Sequence, residues 1–244
     1  MRFWVIIALT LLTHSAYVSS ADLELLDINF SRTVFSDKLT QQSVRQSFQD
    51  STGALWFVTH EGLNRYNGYE LKNYRYSATD PHSLPSDSIT RITEDNDGFI
   101  WLSTRGAGLV RYNPIPDNFE AIYFNPNDHN TPYSNEINTV FRDKSGTLWL
   151  GYANAISRFN PKERTFHHYV AGSQNMPFTG TVSHFTQTKD GAIWAATQTT
   201  GLLRIDPLTD EISVRTHSSD DETTISSNWL YSLTTDQDGI IWVA

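Results

Sequence analysis

Apolar residues in this chain come in short runs rich in β-branched and aromatic side chains, broken at close intervals by Gly, Asp, Asn and Pro. Such runs predict strands. The stretch from Ile89 to Phe124 contains four of them: Ile89 to Glu94, Phe99 to Thr104, Gly108 to Asn113 and Phe119 to Phe124. The second run of each unit (Phe99 to Ser103, Thr147 to Gly151, Ala192 to Ala196) is apolar almost throughout. A short strand of that kind is covered on both faces, which makes it an interior strand held between neighbouring sheets.

The pattern repeats. A Gly is followed three residues later by a Trp at Gly53/Trp56, Gly98/Trp101, Gly146/Trp149, Gly191/Trp194 and Gly239/Trp242, with Trp-to-Trp steps of 45, 48, 45 and 48. A period of this size marks a repeat architecture in which each unit buries its aromatic face against the next. Asp stands three residues before the Gly in four copies (Asp50, Asp95, Asp143, Asp236) and Thr188 in the other. Asp opens a type I turn through its own side chain, and Gly supplies the left-handed residue that returns the chain into a hairpin. Asp95-Asn-Asp97-Gly98 and Asp236-Gln-Asp238-Gly239 superficially suggest a calcium loop, but the later bidentate carboxylate is absent and an apolar strand follows. The turn reading takes precedence, and no metal site is expected.

The third strand carries an Arg in every complete unit (Arg65, Arg111, Arg158, Arg204) beside a repeated apolar residue. Packing of the stem and bonding to a neighbouring unit explain it better than a row of anion receptors. Four strands per unit, about 45 residues per unit and one buried Trp per unit describe an all-β fold, a β-propeller of four-stranded antiparallel blades. Four full blades and the start of a fifth are present, an incomplete part of a larger ring of about seven. The WD dipeptide and the kelch double glycine are absent.

The string Asp-x-x-Gly-x-Ile/Leu-Trp-x-x-Thr followed by Gly-Leu-x-Arg-Tyr/Phe-Asn resembles the two-component regulator propeller repeat over residues 27 to 244. Unit three departs from it, with Tyr152 for Thr and Ala155 for Gly. The resemblance implies the periplasmic sensor region of a membrane-bound histidine kinase or diguanylate cyclase, with transmembrane and output segments downstream of this N-terminal fragment. It also implies contact with the membrane only through those segments, anchoring in the inner membrane, and allows a homodimer.

Composition narrows the partners. Met1-Arg2, an apolar run to Leu12 and the small-residue end Val18-Ser19-Ser20-Ala21 predict a signal peptide over residues 1–20, with a sensor propeller over 21–244. The chain holds 18 basic and 27 acidic residues, so nucleic acid is disfavoured, and without Cys it fits a bacterial periplasm.

Turns between first and second strands leave one face, and the longer loops leave the other. That second face carries Ser77 to Asp87, Asn125 to Asn135, Ala171 to Gly180 and His217 to Ser227. Loops that vary between like repeats are where binding is built. His60, Arg105, Asn154, Gln198 and Trp229 are therefore the candidate ligand-binding residues, for a small molecule or oligosaccharide that Trp229 would stack against. No catalytic residue or cofactor is expected: His167-His168 lie on an outer strand, and Ser183 and His184 point to opposite faces of one strand. The alternatives are an exported propeller enzyme, a polysaccharide lyase or glycosidase, and a soluble carbohydrate-binding propeller.

Overall fold

The computed structural model describes residues 35–172 and 176–244. The signal-peptide segment lies outside the described residues, as does Leu26 to Val34, a stretch that the sequence marks as an outer strand for the last blade of a complete ring. Blade 1 comprises β1 (Val44–Gln49), β2 (Leu55–Thr59), β3 (Gly62–Tyr66) and β4 (Leu71–Tyr74). Blade 2 comprises β5 (Ile89–Glu94), β6 (Ile100–Thr104), β7 (Leu109–Asn113) and β8 (Asn118–Ile122). Blade 3 comprises β9 (Thr139–Arg142), β10 (Leu148–Gly151), β11 (Ala155–Asn160) and β12 (Thr165–Val170). Blade 4 comprises β13 (Val182–Gln187), β14 (Ile193–Thr197), β15 (Leu202–Ile205) and β16 (Ile212–Arg215). Blade 5 has β17 (Leu233–Thr235) and β18 (Ile241–Val243). Each sheet is antiparallel and runs in chain order. The second strands of blades 2 to 4 start one residue later than their apolar runs, because the residue after each turn Gly closes the hairpin.

The first strands pack on one another in succession, β1 on β5, β5 on β9, β9 on β13 and β13 on β17. They form the inner, axial end of the blades. The core sits between blades: one apolar cluster joins blades 1 and 2, a second blades 2 and 3, a third blades 3 and 4, and a fourth blades 4 and 5. Long loops contribute to it, with Leu84, Tyr133, Phe178 and Ile225 inserted among these clusters.

A single polar contact explains why Asp and Trp recur together. Asp143 Oδ1 accepts from the Ser145 and Thr147 amides at 2.9 and 3.0 Å, which fixes the turn. Its Oδ2 accepts from the indole Nε1 of Trp149 at 2.9 Å. Asp50–Trp56, Asp95–Trp101 and Asp236–Trp242 repeat the bond at 2.8, 2.7 and 2.8 Å. In blade 4 the hydroxyl of Thr188 stands in, 3.2 Å from Trp194 Nε1. The carboxylates offered to calcium by the sequence pattern thus carry the turn amides and the indole. The turn glycines all adopt φ between +83° and +93°. Register places each third-strand Arg opposite its Trp: Arg65 opposite Trp56, Arg111 opposite Trp101, Arg158 opposite Trp149 and Arg204 opposite Trp194.

Blade contacts alternate. Tyr74, stacked on Trp56, donates across to Asp117 of blade 2 at 2.7 Å. Tyr169, stacked on Trp149, donates across to Asp210 of blade 4 at 2.5 Å. Between blades 2 and 3 the corresponding turn residue is Arg164, which pairs with Glu120 at 2.9 Å, and Trp101 meets Phe159 edge-on. All three turn residues hold positive φ, 54° for Asp117 and Arg164 and 61° for Asp210.

Candidate functional site

On the loop face, each connection between second and third strands is tied to the segment entering the next blade. Gly62 N donates to Asp87 O, Gly108 N to Asn135 O, Asn154 N to Gly180 O and Gly201 N to Asn228 O. These ties put residues from successive blades around one mouth. Asn154 supplies the left-handed residue (φ 60°) that the missing Gly of unit three would have provided, and its side-chain oxygen accepts from Gly180 N. Gln198 enters the same frame through its amide, which donates to Thr181 O.

The long loops are less varied than their sequences suggest. In three of them an amide donates to a hydroxyl six residues on: Ser77 to Ser83, Asn125 to Thr131 and Ser218 to Thr224. Each also has an Asp that bonds the amide two residues later, from Asp80, Asp128 and Asp221. They are one self-supporting turn that also plugs the core, so sequence difference alone does not make them recognition loops.

Of the five candidates, His60 and Arg105 belong to one cluster at the axial end. Arg45 sits at the β-bulge of β1, where its guanidinium meets the His60 ring at 2.7 Å and donates to the Ile89 carbonyl at 3.2 Å. Burial, followed by the nearby Arg105 charge, pulls the Arg45 guanidinium below its ordinary value. Arg91, on the adjoining strand β5, is half-buried, and burial and the Arg45 charge lower it in the same sense. His184, on β13, is lowered by burial and then by Arg91, so it is neutral near pH 7. Its Nδ1 is held by the Leu233 carbonyl at 2.8 Å. Arg45, Arg91 and His184 were missed because they lie on strands, all three at bulges that shift the inward-facing register.

Asn154 and Gln198 take structural roles through their backbones, and Trp229 stands apart, half-exposed and tilted against Tyr231 at 6.3 Å. Among the described residues, the three cavities of more than 500 Å³ are lined by none of the five candidates. A cavity of about 540 Å³ opens on the opposite face between blades 3 and 4, beside Arg158, His167 and Arg204. Another of about 620 Å³ lies under the long loop of blade 2, lined by Tyr76, His82 and Tyr123.

The bulge of β13 also revises the reading of Ser183 and His184. Both side chains bond carbonyls of the same neighbouring segment, Ser183 to Leu230 O and His184 to Leu233 O. Register creates a serine–histidine contact the sequence did not show, Ser157 Oγ to His168 Nδ1 at 2.7 Å. Ser157 is fully buried, so no substrate reaches it. Among the described residues, no group of three or more His, Asp or Glu side chains is placed to hold a metal ion.

The family model described as "Two component regulator propeller" matches residues 83–106. Histidine kinase P4 of Formosa agariphila is 30% identical over 107 residues, covering 43% of this chain and 8% of the kinase. The extracellular domain of the putative hybrid two component system BT3049 from B. thetaiotaomicron superposes with a TM-score of 0.70 at 23% identity, over 82% of this chain and 27% of that one. Virginiamycin B lyase from Staphylococcus aureus superposes at 0.62 with 18% identity, over 84% and 64% of the two chains. The present chain thus spans a small part of its kinase relative and about a quarter of the extracellular domain. Residues 83–106 thus carry a two-component regulator propeller repeat, whose Gly and Trp positions recur at Trp56, Trp101, Trp149, Trp194 and Trp242 on a blade scaffold shared with these domains.

Proposed function

We propose that this chain is the ligand-sensing propeller of an extracytoplasmic region in a membrane signalling protein of the two-component or cyclic-di-GMP type, and that it senses without catalysis. The observation that carries the reading is the pairing of the regulator repeat with a blade scaffold shared with extracellular domains of hybrid two-component systems. The loop face receives the ligand, with His60 and Arg105 at the axial rim and Trp229, apart from them, as a stacking face for a small molecule or oligosaccharide. In the described residues no helix is long and apolar enough to cross a membrane. Anchoring and output are assigned to other segments of a longer protein.

The test is to express the full coding sequence, measure output (phosphotransfer or cyclic-di-GMP) against a panel of oligosaccharides and small metabolites, and repeat it with Arg105→Ala and Trp229→Ala. A ligand whose response is lost in these variants supports the proposal. Output that no compound changes overturns it. The superposition on virginiamycin B lyase favours a second reading, an exported propeller enzyme. Turnover of a saccharide by the purified chain would establish that reading instead.

A further inference from the structure

We propose that the axial channel binds an oxyanion, the carboxylate of a sugar acid, through Arg91, with Arg45 as a second guanidinium and His184 Nε2 bonding a hydroxyl of the same ligand. The proposal rests on the sensing reading above and names the ligand class for that mouth.

The starting point is Arg91. Several other arginines of this acidic chain are matched: Arg111 and Arg164 to Glu120, Arg158 to Asp210, Arg204 to Asp190, Arg75 to Glu61 and the Thr40 carbonyl. Arg65 lies over the Trp56 ring. Arg91 is half-buried, and its carbonyl accepts from the Ser103 hydroxyl, but its guanidinium has no hydrogen bond or ion pair with any described residue. A guanidinium stays charged at every relevant pH, and leaving it partly desolvated beside another cation is unfavourable. Its neighbours do not relieve it. The Arg45 guanidinium is committed to His60 and the Ile89 carbonyl, and among the described residues no carboxylate pairs with either group. Arg45, Arg91 and His184 stand at the bulges of β1, β5 and β13, first strands that belong to the series packed in succession at the inner end of the blades, so the three share the axial side.

An anion entering this space gains a guanidinium fork whose geometry matches a carboxylate bidentately. The chain as a whole carries a formal net charge of −9, so the channel is a local positive site in a negative surface and selects anions by position. With Nδ1 of His184 held by Leu233, Nε2 is left to bond a ligand hydroxyl, which favours an oxyanion that also carries hydroxyls over a bare one.

Isothermal titration of the purified protein with D-glucuronate, D-glucose and sodium sulfate at matched ionic strength tests this. Glucuronate binds, glucose does not, and sulfate binds more weakly than glucuronate. Arg91→Gln lowers glucuronate affinity about tenfold to a hundredfold, as loss of a charge-assisted pair does. Arg91→Lys falls between, since it keeps charge and loses the fork. Arg164→Gln, on the outer rim, leaves affinity unchanged. Thermal unfolding of each variant confirms folding, which the unpartnered Arg91 does not support. Absence of glucuronate binding, or binding equal in Arg91→Gln and the parent, overturns the channel site. The sensing reading is scored separately by the output of the Trp229→Ala and Arg105→Ala proteins.

Discussion

Substituting Asp143 by Ala is expected to destabilise the blade 3 hairpin by roughly 3–5 kcal/mol. Asp143 is 4% exposed, and its two oxygens serve the Ser145 amide, the Ser145 hydroxyl, the Thr147 amide and the Trp149 indole. The indole is fully buried, so its N–H loses its only acceptor and receives no water in exchange, at about 1–3 kcal/mol. The turn groups are half-exposed and regain part of their bonding from solvent, at about 0.5–1 kcal/mol each. Blade 4 supplies the calibration, because Thr188 offers one hydroxyl where the others offer a carboxylate. Asp143→Thr therefore loses less than Asp143→Ala, and Thr188→Asp gains about 1 kcal/mol. Equilibrium urea unfolding followed by far-UV circular dichroism measures each, with Trp149→Phe completing a double-mutant cycle. A cost below about 1 kcal/mol for Asp143→Ala, or no coupling between the two positions, refutes the assignment.

Two further outcomes follow from the geometry. Gly108→Ala, at φ +67°, places a Cβ 2.4 Å from the Ile122 carbonyl oxygen, whereas Gly106→Ala, at φ +100°, meets nothing within 4 Å; thermal unfolding should show the first well below the second. Burial raises the Asp50 carboxyl, but hydrogen bonds from Thr52, Trp56 and the Ala54 amide outweigh it and leave the group below its ordinary value. Its contribution to stability is complete above the unfolded value near ~3.9 and is lost as pH falls through the lower folded value. Urea midpoints measured across this acid range should fall less steeply for Asp50→Asn than for the parent, and equal slopes would count against the carboxylate bonds.

The blades were legible because one rare residue, Trp, recurs in a frame that only a repeat explains. The partner that fixes it was also written in the sequence, always six residues earlier, yet its first apparent role was in the turn alone. The candidate site was less legible. His60 and Arg105 stand on loops, where attention falls naturally. Arg45 and Arg91 lie eight and seven residues before their turn glycines, on inner strands whose bulges decide which side chains reach the axis. A bulge leaves no composition signal of its own, and a one-residue shift exchanges the faces of a strand.

The alternation of blade contacts limits how such a ring can change in number. Excising blade 2 alone would bring the Tyr74 hydroxyl up to Arg164, a donor facing a donor. Excising blades 2 and 3 together would bring it to Asp210, the acceptor that Tyr169 already uses. The contacts therefore repeat over two blades and not one, in step with the Trp-to-Trp spacings of 45 and 48 residues, each of which occurs twice.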